Sequence, residues 1–65
     1  MLNKGDKVNA IMPNGEIEKG IVIERDGRLW LDEGMGNVYA INGGFANGTM
    51  FEPQIENRGN NNDKM

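Results

Sequence analysis

Turn signals interrupt this chain at intervals of about ten residues, a spacing that leaves room for short strands and little else. Pro13-Asn14-Gly15, Asp26-Gly27, Gly34-Met35-Gly36-Asn37, Asn42-Gly43-Gly44 and Asn47-Gly48 are all built from residues that favour tight or left-handed backbone. The segments between them are rich in Val, Ile, Leu, Trp and Tyr. No window carries an i, i+3, i+4, i+7 apolar stripe long enough for an amphipathic helix. The pattern predicts an all-β domain at residues 1–56, with five strands over 6–12, 16–25, 28–33, 38–42 and 49–55. Residues 57–65 have no apolar side chain before Met65. They cannot offset the entropy of ordering, and a disordered tail is expected there.

The middle hairpin is the most specific local signal. Asp26-Gly27 between alternating strands suits a two-residue type I′ turn, in which both residues take positive φ. Such a turn sets the register. Arg25 then faces Arg28, Glu24 faces Leu29, Ile23 faces Trp30, Val22 faces Leu31 and Ile21 faces Asp32. A four-residue loop over 33–36 would further pair Leu31 with Val38, Trp30 with Tyr39 and Leu29 with Ala40. One face of this meander would carry Gly20, Val22, Leu29, Leu31, Val38 and Ala40. The other would carry Ile21, Ile23, Trp30, Tyr39 and Ile41. An antiparallel sheet in a small domain normally keeps one polar face in water. Here both are apolar, so either the sheet bends sharply or one face binds something, and the pattern allows either Trp30 or the aliphatic side to be the core.

Composition narrows the chemistry. Among its 65 residues the chain has no Cys, His or Ser. That excludes disulfides and the usual nucleophile and base pairs, and it makes zinc a poor fit. Glu16 and Glu18, or Asp32 and Glu33, could act as acid–base pairs. The expectation is that they are solvated charges that keep strand edges soluble. Asp26, Asp32 and Glu33 do not match the spacing of a calcium loop. The Gly-rich stretches are turns and open no phosphate-binding helix. Phe45 is expected to pack in the core. A domain this small offers no room for a substrate pocket of several hundred Å3. No enzyme activity, cofactor, metal or small-molecule substrate is expected.

Net charge is −3, and residues 1–56 hold five Lys and Arg against nine Asp and Glu. An acidic body disfavours non-specific nucleic-acid binding, which depends on neutralising phosphates. The opening residues lack the apolar core of a signal peptide, and no run is long enough to span a membrane. A cytoplasmic location is expected.

Gly5-Asp6-Lys7-Val8-Asn9-Ala10, the short turn Pro13-Asn14-Gly15 and the strand Lys19-Gly20-Ile21-Val22-Ile23 together resemble SH3-like small barrels of the Tudor or KOW type. Leu29, Leu31 and Gly36-Asn37-x-Tyr39 fall where such domains place the third strand and the following turn. The resemblance spans residues 4–55. It implies a five-stranded SH3-like barrel with Val8, Ala10, Val22, Leu29 and Leu31 pointing inward. The chain departs from the family where Tudor domains carry an aromatic cage for methylated cations. Its corresponding loops offer Met12-Pro13-Asn14 and Met35-Gly36-Asn37. KOW barrels that contact nucleic acid have basic loops, and this body is acidic. Type II dihydrofolate reductases share the barrel, but their Val-Gln-Ile-Tyr run is not reproduced by Asn37-Val38-Tyr39-Ala40-Ile41.

Three functions remain to be weighed. The leading one is a protein–protein interaction module using Ile21, Ile23, Trp30 and Tyr39, with Asp32 and an acidic surround setting specificity. The expected setting is a phage or mobile-element protein that binds and modulates a host protein, or a homodimer closed through the same face. The alternative is a nucleic-acid-associated barrel that contacts backbone through Lys4, Lys7, Arg25 and Arg28 and stacks a base on Trp30. The third is an enzyme whose site exists only in an oligomer.

Overall fold

The computed structural model describes residues 2–54, and the 57–65 tail expectation lies outside them. The described chain is all-β. Its strands are β1 (Lys7–Ile11), β2 (Ile17–Arg25), β3 (Arg28–Gly34), β4 (Asn37–Ala40) and β5 (Met50–Pro53). They form one antiparallel sheet in the order β4-β3-β2-β1-β5. Three hairpins generate β1 to β4, and the chain then returns so that β5 lies along the free side of β1. No helix long and apolar enough to cross a membrane occurs among the described residues.

The β2–β3 hairpin follows directly from local chemistry. Asp26 and Gly27 take φ of 56° and 76°, the left-handed pair of a type I′ turn. The register is the expected one, from Ile21 opposite Asp32 to Arg25 opposite Arg28. Gly20 sits where β2 presses against β3. A Cβ there would lie 2.7 Å from the Asp32 carbonyl oxygen and 2.8 Å from the Leu31 side chain. Only glycine allows this approach.

The β3–β4 connection departs from expectation. The turn is two residues, Met35 and Gly36, with φ of 55° and 83°, and Gly34 is paired with Asn37. The remaining residue is absorbed by a bulge between Asp32 and Gly34. Asp32 holds the bulge by accepting a hydrogen bond from the Gly34 amide at 2.9 Å. The tight turn and the bulge together move the ladder by one residue, so Leu31 faces Tyr39 and Trp30 faces Ala40. A one-residue slip exchanges the faces of a strand. Tyr39 therefore lies on the Leu31 side of the sheet, away from Trp30, while Val38 and Ala40 move to the Trp30 side.

The core occupies one face. Val8, Ala10, Val22 and Leu31 are fully buried, and Leu2, Leu29, Ile41, Phe45 and Phe51 pack around them. The aliphatic face of the central meander is thus the inner one. The pairings of Val8 with Gly20 and Ala10 with Phe51 bring β1 and β5 to the same side.

The closed barrel is not formed by strand pairing. β4 and β5 stand at opposite ends of the sheet and share no ladder. Residues 41–49 separate these two short strands, and aromatic packing takes the place of hydrogen bonds. Phe45 contacts Tyr39 at 5.8 Å between ring centroids and Phe51 at 5.3 Å, the latter edge-to-face. Such pairs add about 0.5–1.5 kcal/mol beyond the area they bury. Phe45 packs against the core, as expected, and it also ties the two ends of the sheet together.

Candidate interaction face

The outer face is defined by parity with the core. Ile21 is 44% exposed although it lies mid-strand in the middle of the sheet, opposite Lys7 on one side and Asp32 on the other. Ile17 is more exposed still, as is Met50 at the end of the same face. Ile23 and Trp30 form a directly opposed pair, both half-buried. β-branched residues favour strands for packing reasons, and those reasons need a neighbouring surface. Here no element of the described chain covers these isoleucines.

Trp30 has two of its contacts engaged within its own hairpin. Its indole N–H donates to the Arg25 carbonyl oxygen at 3.3 Å. The Arg28 guanidinium lies 5.4 Å from the ring centroid, a cation–π arrangement. Arg28 in turn donates to the Asn42 carbonyl oxygen at 3.3 Å, linking the hairpin tip to the segment after β4. Trp30 is therefore a brace for the hairpin that leaves part of its surface to the outer face.

Ile21, Ile23, Trp30 and Asp32 share the outer face. Tyr39 does not join them, because the β3–β4 register places it on the opposite face against Phe45, where it remains 42% exposed at the rim. Asp32 has part of its hydrogen-bonding capacity committed to the bulge. Of the basic residues, Lys7, Arg25 and Arg28 lie on this face, whereas Lys4 sits in the turn before β1. Ile17, Lys19 and Met50 also belong to it and were overlooked. Parity along β2 from the Asp26-Gly27 turn would have found Ile17 and Lys19. Met50 needed the β1–β5 pairing, for which there is no local signal. A shallow, open depression of about 430 Å3 lies on this face between Lys7, Lys19, Ile21 and Asp32, and it encloses no substrate-sized cavity.

No family model, curated protein or solved structure matches the chain.

A second cluster lies on the inner face near its rim. Parity along β2 puts Glu18 on the core side, opposite Ala10, and the bulge turns Glu33 toward it. Burial pushes the Glu33 carboxyl up to about 7, helped by a hydrogen bond to Glu18 and by repulsion from its charge. One Glu33 oxygen, Oε2, is buried without a hydrogen-bond partner. Two carboxyls can share a hydrogen bond only if one keeps its proton. Glu33 is thus not the solvated strand-edge charge expected of it. No cluster of three or more potential metal ligands occurs among the described residues.

Proposed function

We propose that this protein is a binding module that acts without catalysis and engages a protein partner through the outer face of its sheet. The observation that carries the reading is the exposure of Ile21, mid-strand in the central strand, in line with Ile17 and beside the Ile23–Trp30 pair. The outward side of an antiparallel sheet is ordinarily polar. Ile17 and Ile21 are exposed on either side of Lys19, and apolar side chains left open at the centre of a sheet support reading it as a surface that a second molecule covers. The return of β5 to β1 and the ring bridge through Phe45 support reading the curled sheet as a small SH3-like barrel, a scaffold suited to presenting such a face.

Ile21→Thr and Ile23→Thr together test the reading, because threonine keeps the β-branched shape and removes the apolar surface. Trp30 is a poorer probe, since its loss would also release the hairpin brace. With folding confirmed by circular dichroism, the tagged wild type is expected to retain a protein from nuclease-treated lysate that the double variant loses. Equal capture by both would overturn the reading. A wild type that sediments as a dimer beside a monomeric variant would assign the face to a second copy.

A nucleic-acid role is the second reading because Arg25 and Arg28 lie on this face next to Trp30, with Lys7 farther along it on β1. Capture that disappears on nuclease treatment would favour it.

A further inference from the structure

The acidic composition of this chain conceals a division of charge between its two faces. All four basic side chains carried by the strands, Lys7, Lys19, Arg25 and Arg28, have outer-face parity. Glu18, Glu24 and Glu33 have inner-face parity, paired with or adjacent to Ala10, Leu29 and Gly34. Only two strand carboxylates, Asp32 and Glu52, share the outer face with the cations. Asp32 is turned toward the Gly34 amide, and Glu52 lies on an end strand. The outer face is therefore basic on a protein of net charge −3.

We infer that the partner of this face is an acidic protein segment with interleaved apolar side chains, its carboxylates directed to Lys19 and Arg25 and its apolar groups to Ile21 and Ile23. The inference rests on the interaction-face reading above and adds the partner's chemistry. Two features of the face support it. Lys19 borders the same depression as Ile21, across from Asp32, whose carboxylate accepts from the Gly34 amide, so a cation and apolar surface are presented together. Arg25 and Arg28 are directly opposed across the hairpin. Like charges so placed destabilise a sheet, and an acidic ligand relieves that repulsion. Complementary charge of this kind sets specificity and speeds encounter.

The same cations would attract a phosphate backbone, but the rest of the face does not suit nucleic acid. Single-strand binders stack bases on open aromatic faces. The face has one aromatic ring, Trp30, and Arg28 already lies over it. Its remaining exposed surface is aliphatic, from Ile17, Ile21 and Met50.

The test is a selection from a random displayed-peptide library with the whole chain as bait, followed by affinity measurement on synthetic peptides. Selected peptides are expected to carry excess Asp and Glu among Leu, Ile or Phe. Their affinity is expected to fall about tenfold or more in the Lys19→Glu, Arg25→Glu double variant, and to weaken as salt is raised. That variant is expected to fold, because both positions are exposed and a glutamate at 25 would face Arg28, and circular dichroism checks it. Apolar peptides without excess acid, lost in Ile21→Thr and kept in the charge variant, would overturn the acidic partner and leave the face. No selection, or peptides indifferent to both variants, would overturn both. An oligothymidine that binds more tightly than every peptide and is released by the charge variant would replace the inference with the nucleic-acid reading.

Discussion

Glu33 shows how strongly one backbone irregularity can change a side chain. It occupies the bulge between Asp32 and Gly34, which turns it toward Glu18 and buries one of its oxygens. Its carboxyl, raised to about 7, takes up a proton more readily in the folded chain than in the unfolded one. Between the ordinary glutamate range and neutrality the native state therefore binds more protons, and stability falls as pH rises through that window. The stabilisation is fully present below the unfolded pKa and is lost as pH passes about 7. Glu33→Gln, which keeps the hydrogen-bonding shape without the charge, is expected to remove most of this dependence. At pH 8 it should be more stable than the wild type by about 1 kcal/mol, allowing for partial solvent screening. Urea midpoints at pH 5 and pH 8 check this. An unchanged slope against pH would mean that Glu33 is not the group whose protonation sets it.

At the scale of elements, the two tight hairpins differ in how well residue type matches backbone. Asp26-Gly27 places a residue that tolerates left-handed backbone before a glycine, and its register is legible at once. The β3–β4 turn puts Met35, fully exposed, at φ 55° between two glycines. Methionine gains no packing there and carries the steric penalty of the left-handed region. Met35→Asn is expected to raise stability by about 0.5–1 kcal/mol, read as a higher denaturation midpoint with unchanged slope. A loss of stability would show that the Met35 side chain has a contact in solution. This misfit is also why the second register was harder to read than the first. A Gly-Met-Gly run permits a four-residue loop as easily as a two-residue turn with a bulge, and Asp32 favours the bulge only once its carboxylate reaches the Gly34 amide.

The molecule as a whole depends on a small core. Its fully buried side chains are Val8, Ala10, Val22 and Leu31, and the rim is completed by the Tyr39, Phe45 and Phe51 rings. A chain of this length has roughly 3–10 kcal/mol of stability in total. Phe45→Ala is expected to remove about 2–4 kcal/mol, because it empties a core position and uncouples β4 from β5. Phe45→Leu should recover part of that loss, since it fills the space without the ring contacts. Thermal unfolding followed by far-ultraviolet circular dichroism distinguishes the two. If Phe45→Ala were no less stable than the wild type, the ends of the sheet would not be held together by these rings.

Five strands, their approximate limits and which residues of the central hairpin share a face could be read from local information; which of its two apolar faces turns inward could not, and burial of Val8, Ala10, Val22 and Leu31 decides it. Turn residues and alternation act over a few neighbours, and the Asp26-Gly27 turn alone orients Val22, Leu31, Ile21 and Trp30. From it also follows that Ile17, Lys19, Ile21, Ile23 and Arg25 share one face, while the exposure of Ile17 and Ile21 is decided by where the core forms. What local pattern could not decide depends on contacts between residues distant in the chain. The bulge at Glu33 moved Tyr39 from the expected outer cluster to the core rim, where Phe45 receives it. The carboxyl pair exists only because β2 and β3 bring Glu18 and Glu33 to one side. The sheet stays open as a hydrogen-bonded ladder because two short end strands are separated by residues 41–49, and aromatic packing joins them instead. Alternation along a strand needs only the backbone. Register after a flexible turn, and the choice between pairing and packing at the sheet's ends, are set by the balance of tertiary contacts.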